Sequence, residues 1–310
     1  MIIDKNFLVN PKGVFLTKGL KMRCYLCESE NVRVIYDFKN MHIYKCASCH
    51  LMFQDYSSKA DLELDNLSEN IYKKVYFGVS KKDNFNIAQE ILNRIRNYCH
   101  FGFKDLSILE IGVGSGMLAS QLMENGADYR GIELSQFFYD KISESFPEIK
   151  KRICNSSLAD ANMPKHNFDL IIMIDTLEHI PYPHIFLKQL RPYLKENGKL
   201  YIEVPNESFF GIRGYLRKIL RIYLGLPTFP DHVNLFTKRT MGKVLRSAGF
   251  TSFRLKQFTI LGDYSKIRRM LNHKMNIWAW VISVFFRFTK LDLILQQGNI
   301  AVVVYANKEC

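Results

Sequence analysis

Nine residues, ILEIGVGSG at positions 108–116, decide the fold of this chain. The apolar run before Gly112 predicts a buried strand, and Gly112, Gly114 and Gly116 predict a tight turn from which a helix begins. Glycines let a ligand approach the backbone, and a helix N-terminus offers unpaired N–H groups and the positive end of a dipole. The third glycine comes one residue earlier than in the G-x-G-x-x-G pattern of dinucleotide sites, which disfavours a pyrophosphate ligand.

Short apolar runs alternate with helical patterns on both sides of this loop. Such alternation is typical of an α/β fold, in which helices cover both faces of a parallel sheet. The predicted strands are 107–111, 129–134, 168–174, 199–204, 252–259 and 300–306. The predicted helices are 84–97, 116–125, 136–145, 184–195 and 238–248, the fourth of them ending at Asn197 and Gly198.

Glu133 closes the second predicted strand, 21 residues after Gly112. Open α/β sheets bind their ligands outside the carboxyl ends of the strands. A carboxylate at this position can accept hydrogen bonds from both hydroxyls of a ribose. The strand, the glycine turn and Glu133 therefore predict a site for a cofactor that contains a nucleoside.

Four of the seven cysteines form two close pairs, Cys24-x2-Cys27 and Cys46-x2-Cys49, with 18 residues between the pairs. Two such turns supply four thiolates, which close a tetrahedral zinc shell. Because a closed shell leaves no position for a substrate, the pattern predicts a structural zinc ion. The zinc would stabilise a short β-rich segment that has little core of its own.

The chain divides into three parts by composition. Residues 1–53 form the predicted zinc-ribbon segment, residues 54–70 are polar and acidic and predict a linker, and residues 71–310 carry the α/β pattern. Basic and aromatic stretches interrupt that pattern and predict helical insertions near 207–236 and 264–298.

The composition excludes several classes of protein. With 310 residues, of which 47% are hydrophobic and 24% charged, the chain buries a substantial core and is neither disordered nor fibrous. The apolar run at 277–286 is shorter than the roughly 20 residues that a membrane span needs, and the N-terminus lacks the apolar stretch of a secretory signal. An odd number of cysteines at metal-binding spacing favours a cytoplasmic chain.

The net charge of +13 is concentrated late in the sequence, where residues 207–290 contain 16 Lys and Arg but three Asp and Glu. The basic stretches 210–226 and 266–288 have helical spacing. They predict either a lid or membrane-facing patch that meets an anionic, lipid-linked substrate, or a helical cap with a solvated basic face. Nucleic acid is disfavoured as a partner because no recognised RNA-binding pattern accompanies the charge.

In these motifs the chain resembles the class I S-adenosylmethionine-dependent methyltransferases over roughly residues 71–260, with the last strand at 300–306. The resemblance implies a Rossmann-like methyltransferase sheet with helices on both faces. It also implies S-adenosylmethionine as cofactor, with the glycine loop on its methionine part, Glu133 on its ribose and the loop at 158–160 on its adenine. The residues so implied in cofactor binding are Glu110, Gly112, Gly114, Gly116, Glu133, Leu158, Asp160 and Asp175.

Methyl transfer requires a group that removes the proton of an acceptor held in line with the methyl group. His179 follows the strand 168–174 and is the first candidate base, because an imidazole titrates near neutral pH. His232, in the segment PDHVNLF at 230–236, is the second candidate, and Glu178 would orient a histidine or cap the turn. The alternative is that both histidines only pack at the ends of the sheet.

A zinc-ribbon segment joined to a methyltransferase is similar to bacterial sugar methyltransferases. That resemblance implies a small-molecule acceptor, namely a sugar of a surface polysaccharide or a nucleotide-linked sugar. Two alternatives stay open from the sequence. One is O-methylation of a quinone-like phenol, and the other is an RNA-associated or non-catalytic module that binds the cofactor.

Overall fold

The computed structural model describes residues 22–38, 41–54, 81–208, 232–259 and 298–306. Residues 55–70 of the predicted linker lie outside this part of the chain, and so do both predicted basic helices, 210–226 and 266–288. None of the described helices combines the length and the apolar character that crossing a membrane requires.

Strands and helices alternate through most of the described chain. Two short 3-10 turns, Leu177–His179 and Arg191–Tyr193, flank the fifth helix. In chain order the elements are β1 (Val32–Phe38), β2 (Met41–Cys46), β3 (Met52–Gln54), α1 (Lys81–Cys99), β4 (Ser107–Ile111), α2 (Met117–Glu124), β5 (Asp128–Ile132), α3 (Gln136–Ser145), α4 (Pro147–Lys150), β6 (Ile153–Cys154), β7 (Phe168–Ile174), α5 (Pro183–Leu190), β8 (Leu194–Pro205), β9 (Asn234–Leu235), α6 (Lys238–Ser247), β10 (Phe253–Thr259) and β11 (Gly298–Tyr305).

A seven-stranded sheet forms the larger part of the described chain, in the order β6-β5-β4-β7-β8-β11-β10. The strands from β6 to β8 are parallel, whereas β11 runs antiparallel to both of its neighbours. The chain order reverses at β4, between β5 on one side and β7 on the other. Ligands of open α/β sheets bind at such a reversal, so the topology places the candidate site at the carboxyl end of β4.

Apolar side chains cover both faces of this sheet. Neighbouring residues of a strand point in opposite directions, so Leu109 packs in the cluster that includes α5 and α6, whereas Ile108 packs with α1 and α2. Burial on both faces explains why the strands are apolar along their length instead of alternating. The predicted Rossmann-like sheet with helices on both faces is thereby confirmed.

Three predicted elements, 107–111, 136–145 and 168–174, have the predicted bounds. The prediction for 184–195 is wrong at its C-terminal end, because α5 stops at Leu190 and β8 begins at Leu194. Pro192 lies in the intervening turn and lacks the backbone N–H that would continue the helix. Gly198 lies inside β8, at an irregularity of the β7–β8 pairing where a Cβ would come within 2.8 Å of the Phe168 carbonyl oxygen.

A smaller antiparallel sheet, in the order β1-β2-β3-β9, contains the cysteine segment. Its first three strands come from the N-terminal region, while β9 comes from the chain that precedes α6. Met52 pairs with Leu235 and Phe53 pairs with Asn234. A two-residue strand whose partner is distant in sequence has no local signature, and the sequence analysis did not predict β9.

Candidate functional site

The glycine loop after β4 has backbone angles that favour glycine. Gly112, Gly114 and Gly116 have φ values of 80°, 59° and 75°, all in the left-handed region. A Cβ on Gly112 would lie 2.5 Å from the Thr176 hydroxyl oxygen. That hydroxyl donates to the carbonyl of Ile111 at 3.1 Å and to that of Ile174 at 2.9 Å, so it joins the ends of β4 and β7. Sequence reasoning missed Thr176, whose role depends on the pairing of two strands.

Glu133 lies directly against this loop. Its Oε2 accepts a hydrogen bond from the Gly114 amide and its Oε1 accepts one from the Ser135 amide, both at 2.9 Å. The side chain is buried, and burial raises the pKa of its carboxyl. Because a carboxylate offers about four acceptor positions, each oxygen retains one for a ligand hydroxyl.

Glu110 lies deeper than the rest of the predicted cofactor set. Its carboxylate accepts a hydrogen bond from the Tyr129 hydroxyl at 2.6 Å, and both side chains are buried. Burial raises the pKa of Glu110 to about 8. A Cβ on Gly131 would lie 2.7 Å from that hydroxyl, so the small residue at 131 makes room for the pair. The structure thus places Glu110 in the core, beside β5, the strand that directly precedes Glu133.

The loop after β6 reaches the same end of the sheet. Asn155 donates from Nδ2 to the Glu133 carbonyl at 2.8 Å. Leu158 is buried in the core, and Asp160 is exposed and accepts a hydrogen bond from the Ser157 hydroxyl at 2.6 Å. Asp175, which follows β7, is also exposed and has a φ of 46°. Thus Asp160 and Asp175 lie at the surface, whereas Leu158 contributes to the core.

The structure brings together the three predicted catalytic side chains. Glu178, His179 and His232 are 1%, 3% and 8% exposed. Glu178 Oε1 lies 4.0 Å from His179 Nε2 and 3.9 Å from His232 Nε2, and the two rings lie edge to face with centroids 4.9 Å apart. The two histidines, 53 positions apart in sequence, therefore share one buried carboxylate.

Backbone hydrogen bonds connect this cluster to the glycine loop. The His179 amide donates to the Thr176 carbonyl at 3.1 Å, and Thr176 is the residue whose hydroxyl holds the ends of β4 and β7. On the other side, the Val233 amide donates to the Glu178 carbonyl at 3.0 Å, which places His232 beside Glu178. The cluster and the glycine loop thus meet at the reversal point of the sheet.

The electrostatics of the cluster suit proton transfer. Burial lowers the pKa of His232 well below its usual value, and the neighbouring His179 lowers it further. His232 is therefore neutral at neutral pH, and its uncharged ring adds no positive charge beside His179.

The ligand atoms of Glu178, His179 and His232 lie within 4.8 Å of one another, so this donor set also has the composition of a divalent-metal site.

The four cysteines of the two pairs form a compact group of sulfur atoms. Cys24 Sγ lies 3.4 Å from Cys49 Sγ, and Cys27 Sγ lies 3.6 Å from Cys46 Sγ. A tetrahedron with Zn–S bonds of about 2.3 Å has edges of about 3.8 Å, so the spacing fits a zinc ion with little movement. A hydrogen bond from Cys24 lowers the pKa of the Cys49 thiol to about 5, and the same contact raises the pKa of Cys24.

The local backbone explains how each pair turns around its sulfur atoms. Glu28 and His50, the residues that follow the second cysteine of each pair, have φ values of 56° and 67°. The Cys49 amide donates to Cys46 Sγ at 3.4 Å, a contact that stabilises negative charge on the sulfur. The two cysteine turns therefore share the same positive-φ geometry after the second cysteine, in agreement with their identical spacing.

A comparison with protein families matches residues 81–254 to a family described as a methyltransferase domain. The matched range contains the glycine loop, Glu133 and all three residues of the buried cluster.

Curated relatives give a second comparison. A ubiquinone biosynthesis O-methyltransferase of Coxiella burnetii is 28% identical over 120 residues, which cover 38% of this chain and 50% of the relative. A protein of the same name from Azoarcus sp. is 23% identical over 168 residues, 52% of this chain and 70% of the relative. The chain thus spans about half the length of the first of these relatives.

Among solved structures, a SAM-dependent methyltransferase from Archaeoglobus fulgidus aligns with a TM-score of 0.50 and 16% sequence identity. The alignment covers 76% of this chain and 99% of that one. At this level of identity the similarity concerns the fold.

Proposed function

Because the chain belongs to the family of S-adenosylmethionine-dependent methyltransferases, we propose that it transfers the methyl group of S-adenosylmethionine to a hydroxyl group of a small molecule. One observation carries the proposal: the glycine loop after β4 and a buried Glu–His–His cluster meet at Thr176. The first provides a cofactor site, and the second provides groups that accept a proton.

The residues at the carboxyl ends of β4 and β5 fit the cofactor. The glycine loop has a left-handed backbone at all three glycines, and Glu133 keeps an acceptor position on each oxygen for the two hydroxyls of a ribose. Asp160 and Asp175 are exposed at the same edge and would contact the adenine and methionine parts. When bound, S-adenosylmethionine supplies an electrophilic methyl group on a sulfonium.

The buried cluster would activate the acceptor. His179 accepts the proton of the acceptor hydroxyl, and the Glu178 carboxylate, 4.0 Å from its Nε2, stabilises the resulting imidazolium. His232 stays neutral and packs against the His179 ring, which limits the orientations of that ring. In this assignment His179, the first candidate from the sequence, is the base. Glu178 and His232 support it.

The acceptor class is proposed from the relatives and from the cysteine segment. The curated relatives are named ubiquinone biosynthesis O-methyltransferases, which supports a phenol of a quinone precursor as acceptor. The sugar acceptor expected from the sequence rests on the resemblance of the cysteine segment alone. The two acceptors share a hydroxyl nucleophile, and the same base serves both.

We also propose that Cys24, Cys27, Cys46 and Cys49 bind one structural zinc ion. The sulfur–sulfur distances and the matching backbone turns support this assignment. Four sulfur ligands complete a tetrahedral shell, so the ion would hold the segment together and take no part in methyl transfer.

Cofactor binding is tested by calorimetry with S-adenosylmethionine and S-adenosylhomocysteine. We expect Gly112→Ala to abolish binding, since the added methyl group would collide with Thr176 in a backbone conformation that disfavours alanine. Gly102→Ala is the control, because a Cβ at Gly102 meets no atom within 4 Å. Well-folded wild-type protein that binds neither ligand would contradict the proposal.

The reaction is tested by measuring S-adenosylhomocysteine release with three acceptor panels: catechol-type phenols, nucleotide sugars and RNA. We expect turnover with one small-molecule panel and its loss in His179→Ala, with cofactor affinity retained. Full turnover in His179→Ala would show that the base assignment is wrong. Methylation or tight, salt-dependent binding of RNA in preference to both small-molecule panels would favour the RNA-associated alternative.

A further inference from the structure

The cysteine segment and the catalytic cluster share a strand. β9 starts two residues after His232 and is the fourth strand of the sheet that the cysteine segment builds. The Gln54 amide, at the end of β3, donates to the Val233 carbonyl at 2.8 Å. The Val233 amide in turn donates to the Glu178 carbonyl at 3.0 Å. The backbone beside His232 is therefore held from one side by the cysteine segment and from the other by the catalytic turn.

Asn234 makes the same connection through its side chain. It is 1% exposed, and its Nδ2 donates to the Ile180 carbonyl at 2.8 Å and more weakly to the Glu178 carbonyl at 3.4 Å. Its Oδ1 accepts a hydrogen bond from the Tyr25 hydroxyl. One buried amide thus joins the turn that carries Glu178 and His179 to a residue of the cysteine segment.

Tyr25 lies inside the first cysteine pair, directly after Cys24. Its ring stacks on His184 with an interplanar angle of 4° and meets Tyr182 edge to face at 5.3 Å, so it also packs on the chain that follows the catalytic turn. From the second pair, the Cys49 carbonyl accepts a hydrogen bond from Lys243 Nζ of α6 at 3.0 Å. Both cysteine turns therefore contact the larger part of the molecule.

We propose that the cysteine segment, with zinc bound, positions the catalytic cluster, and that Tyr25 and Asn234 are the positioning residues. Zinc fixes the turn that carries Tyr25. Tyr25 then orients the Asn234 amide, which holds the Glu178–Ile180 backbone next to His232. The inference rests on the proposed roles of His179 and His232, and it gives the zinc segment a function in the reaction besides its contribution to stability.

The test uses the full chain with zinc bound and the variant Tyr25→Phe, which removes the hydroxyl and keeps the ring contacts. We expect zinc content and S-adenosylmethionine affinity to change by less than about twofold and kcat to fall about tenfold, because small displacements of catalytic groups are costly. The imidazole resonances of His232, recorded without acceptor, should shift. Tyr193→Phe, in the turn before β8, is the control and should match the wild type.

A second variant interrupts the connection at Asn234 instead of Tyr25. Asn234→Asp keeps the oxygen that accepts from Tyr25 and loses the amide that donates to the catalytic turn. We expect the same shift of the His232 resonances and a lower kcat at unchanged cofactor affinity.

Wild-type imidazole resonances and kcat in both variants would overturn the inference. Full turnover in His179→Ala is a different result, which contradicts the proposed base. The resonances of His232 still report whether Tyr25 and Asn234 position that ring, since they are measured without turnover.

Discussion

At the scale of single residues, Glu133 combines two tasks, one toward the glycine loop and one proposed toward the cofactor. Its oxygens accept hydrogen bonds from the amides of Gly114 and Ser135, and the same oxygens are proposed to accept from the cofactor ribose. Glu133→Gln keeps the shape but turns one acceptor into a donor that faces a backbone N–H. We expect cofactor affinity to fall at least about tenfold in calorimetry, the equivalent of about 1.4 kcal/mol.

The control for this substitution is Glu144→Gln, because Glu144 lies at the exposed end of α3 with a side chain 64% exposed. We expect that variant to bind as the wild type does. Unchanged affinity in Glu133→Gln would remove Glu133 from the cofactor site.

The position of Glu133 was predictable from its spacing to Gly112, whereas Thr176 was not, because its contacts depend on how β4 and β7 pair.

Glu110 gives a prediction about pH and stability. Its pKa is raised to about 8 in the folded chain, so between about pH 4.5 and 8 the folded state holds a proton that the unfolded state has lost. Stability from this group is therefore present at low pH and decreases as the pH rises to about 8, by up to about 1.4 kcal/mol per pH unit. The side chain at position 110 cannot titrate in Glu110→Gln. The variant should therefore lose less unfolding free energy than the wild type as the pH rises.

The measurement is urea unfolding of the wild type and Glu110→Gln at pH 5.5 and pH 7.5. We expect the difference in unfolding free energy between the two proteins to shift by about 2–3 kcal/mol in favour of the variant at the higher pH. Contributions of titrating groups that do not interact with Glu110 cancel in this comparison. A difference that does not depend on pH would show that Glu110 is ionised throughout the range.

At the scale of secondary-structure elements, a buried ion pair connects α1 to β8. Arg94 donates from Nε and Nη2 to the two carboxylate oxygens of Glu203 at 2.8 and 2.9 Å, and the Tyr201 hydroxyl also donates to Glu203. Glu203 is 1% exposed. Arg94→Met leaves that carboxylate without its cation, so we expect a loss of about 3 kcal/mol in urea unfolding.

The matched control is Arg152→Met, which removes an exposed pair with Asp128 and should cost less than about 1 kcal/mol. Equal losses in the two variants would show that the Arg94–Glu203 pair contributes no more than a surface contact.

Sequence patterns were sufficient to predict the bounds of some strands and helices. β4, β7 and α3 were predicted to the residue, because an apolar strand between turns and a helix capped by Ser135 are local features. The end of α5, the bulge at Gly198 and the strand β9 were missed. The strand β9 and the irregularity at Gly198 depend on contacts between strands that are distant in sequence, whereas the end of α5 is marked locally by Pro192.

At the scale of the whole molecule, the two sheets carry separate tasks. The residues proposed to bind the cofactor lie at the seven-stranded sheet, and the cysteines lie beside the four-stranded sheet that reaches the proposed catalytic cluster through β9. The sequence predicted both parts from their motifs, Gly112–Gly116 and the two cysteine pairs. It did not predict their connection, because Tyr25 and Asn234 carry no recognisable pattern in sequence.

Because the cysteines and the proposed cofactor residues belong to different sheets, we expect loss of zinc to lower stability and to leave cofactor binding intact. Cys27→Ser removes one of the four proposed zinc ligands, and we expect the variant to be isolated without stoichiometric zinc and to unfold at a lower temperature, since zinc binding contributes directly to folding of such segments. Calorimetry should nevertheless give a cofactor affinity within about twofold of the wild type, because Gly112, Glu133 and Thr176 are held by β4, β5 and β7. Cys154→Ser, a partly buried cysteine outside the cluster, is the control and should retain zinc. Loss of cofactor affinity in step with loss of zinc would show that the two sheets form one cooperative site.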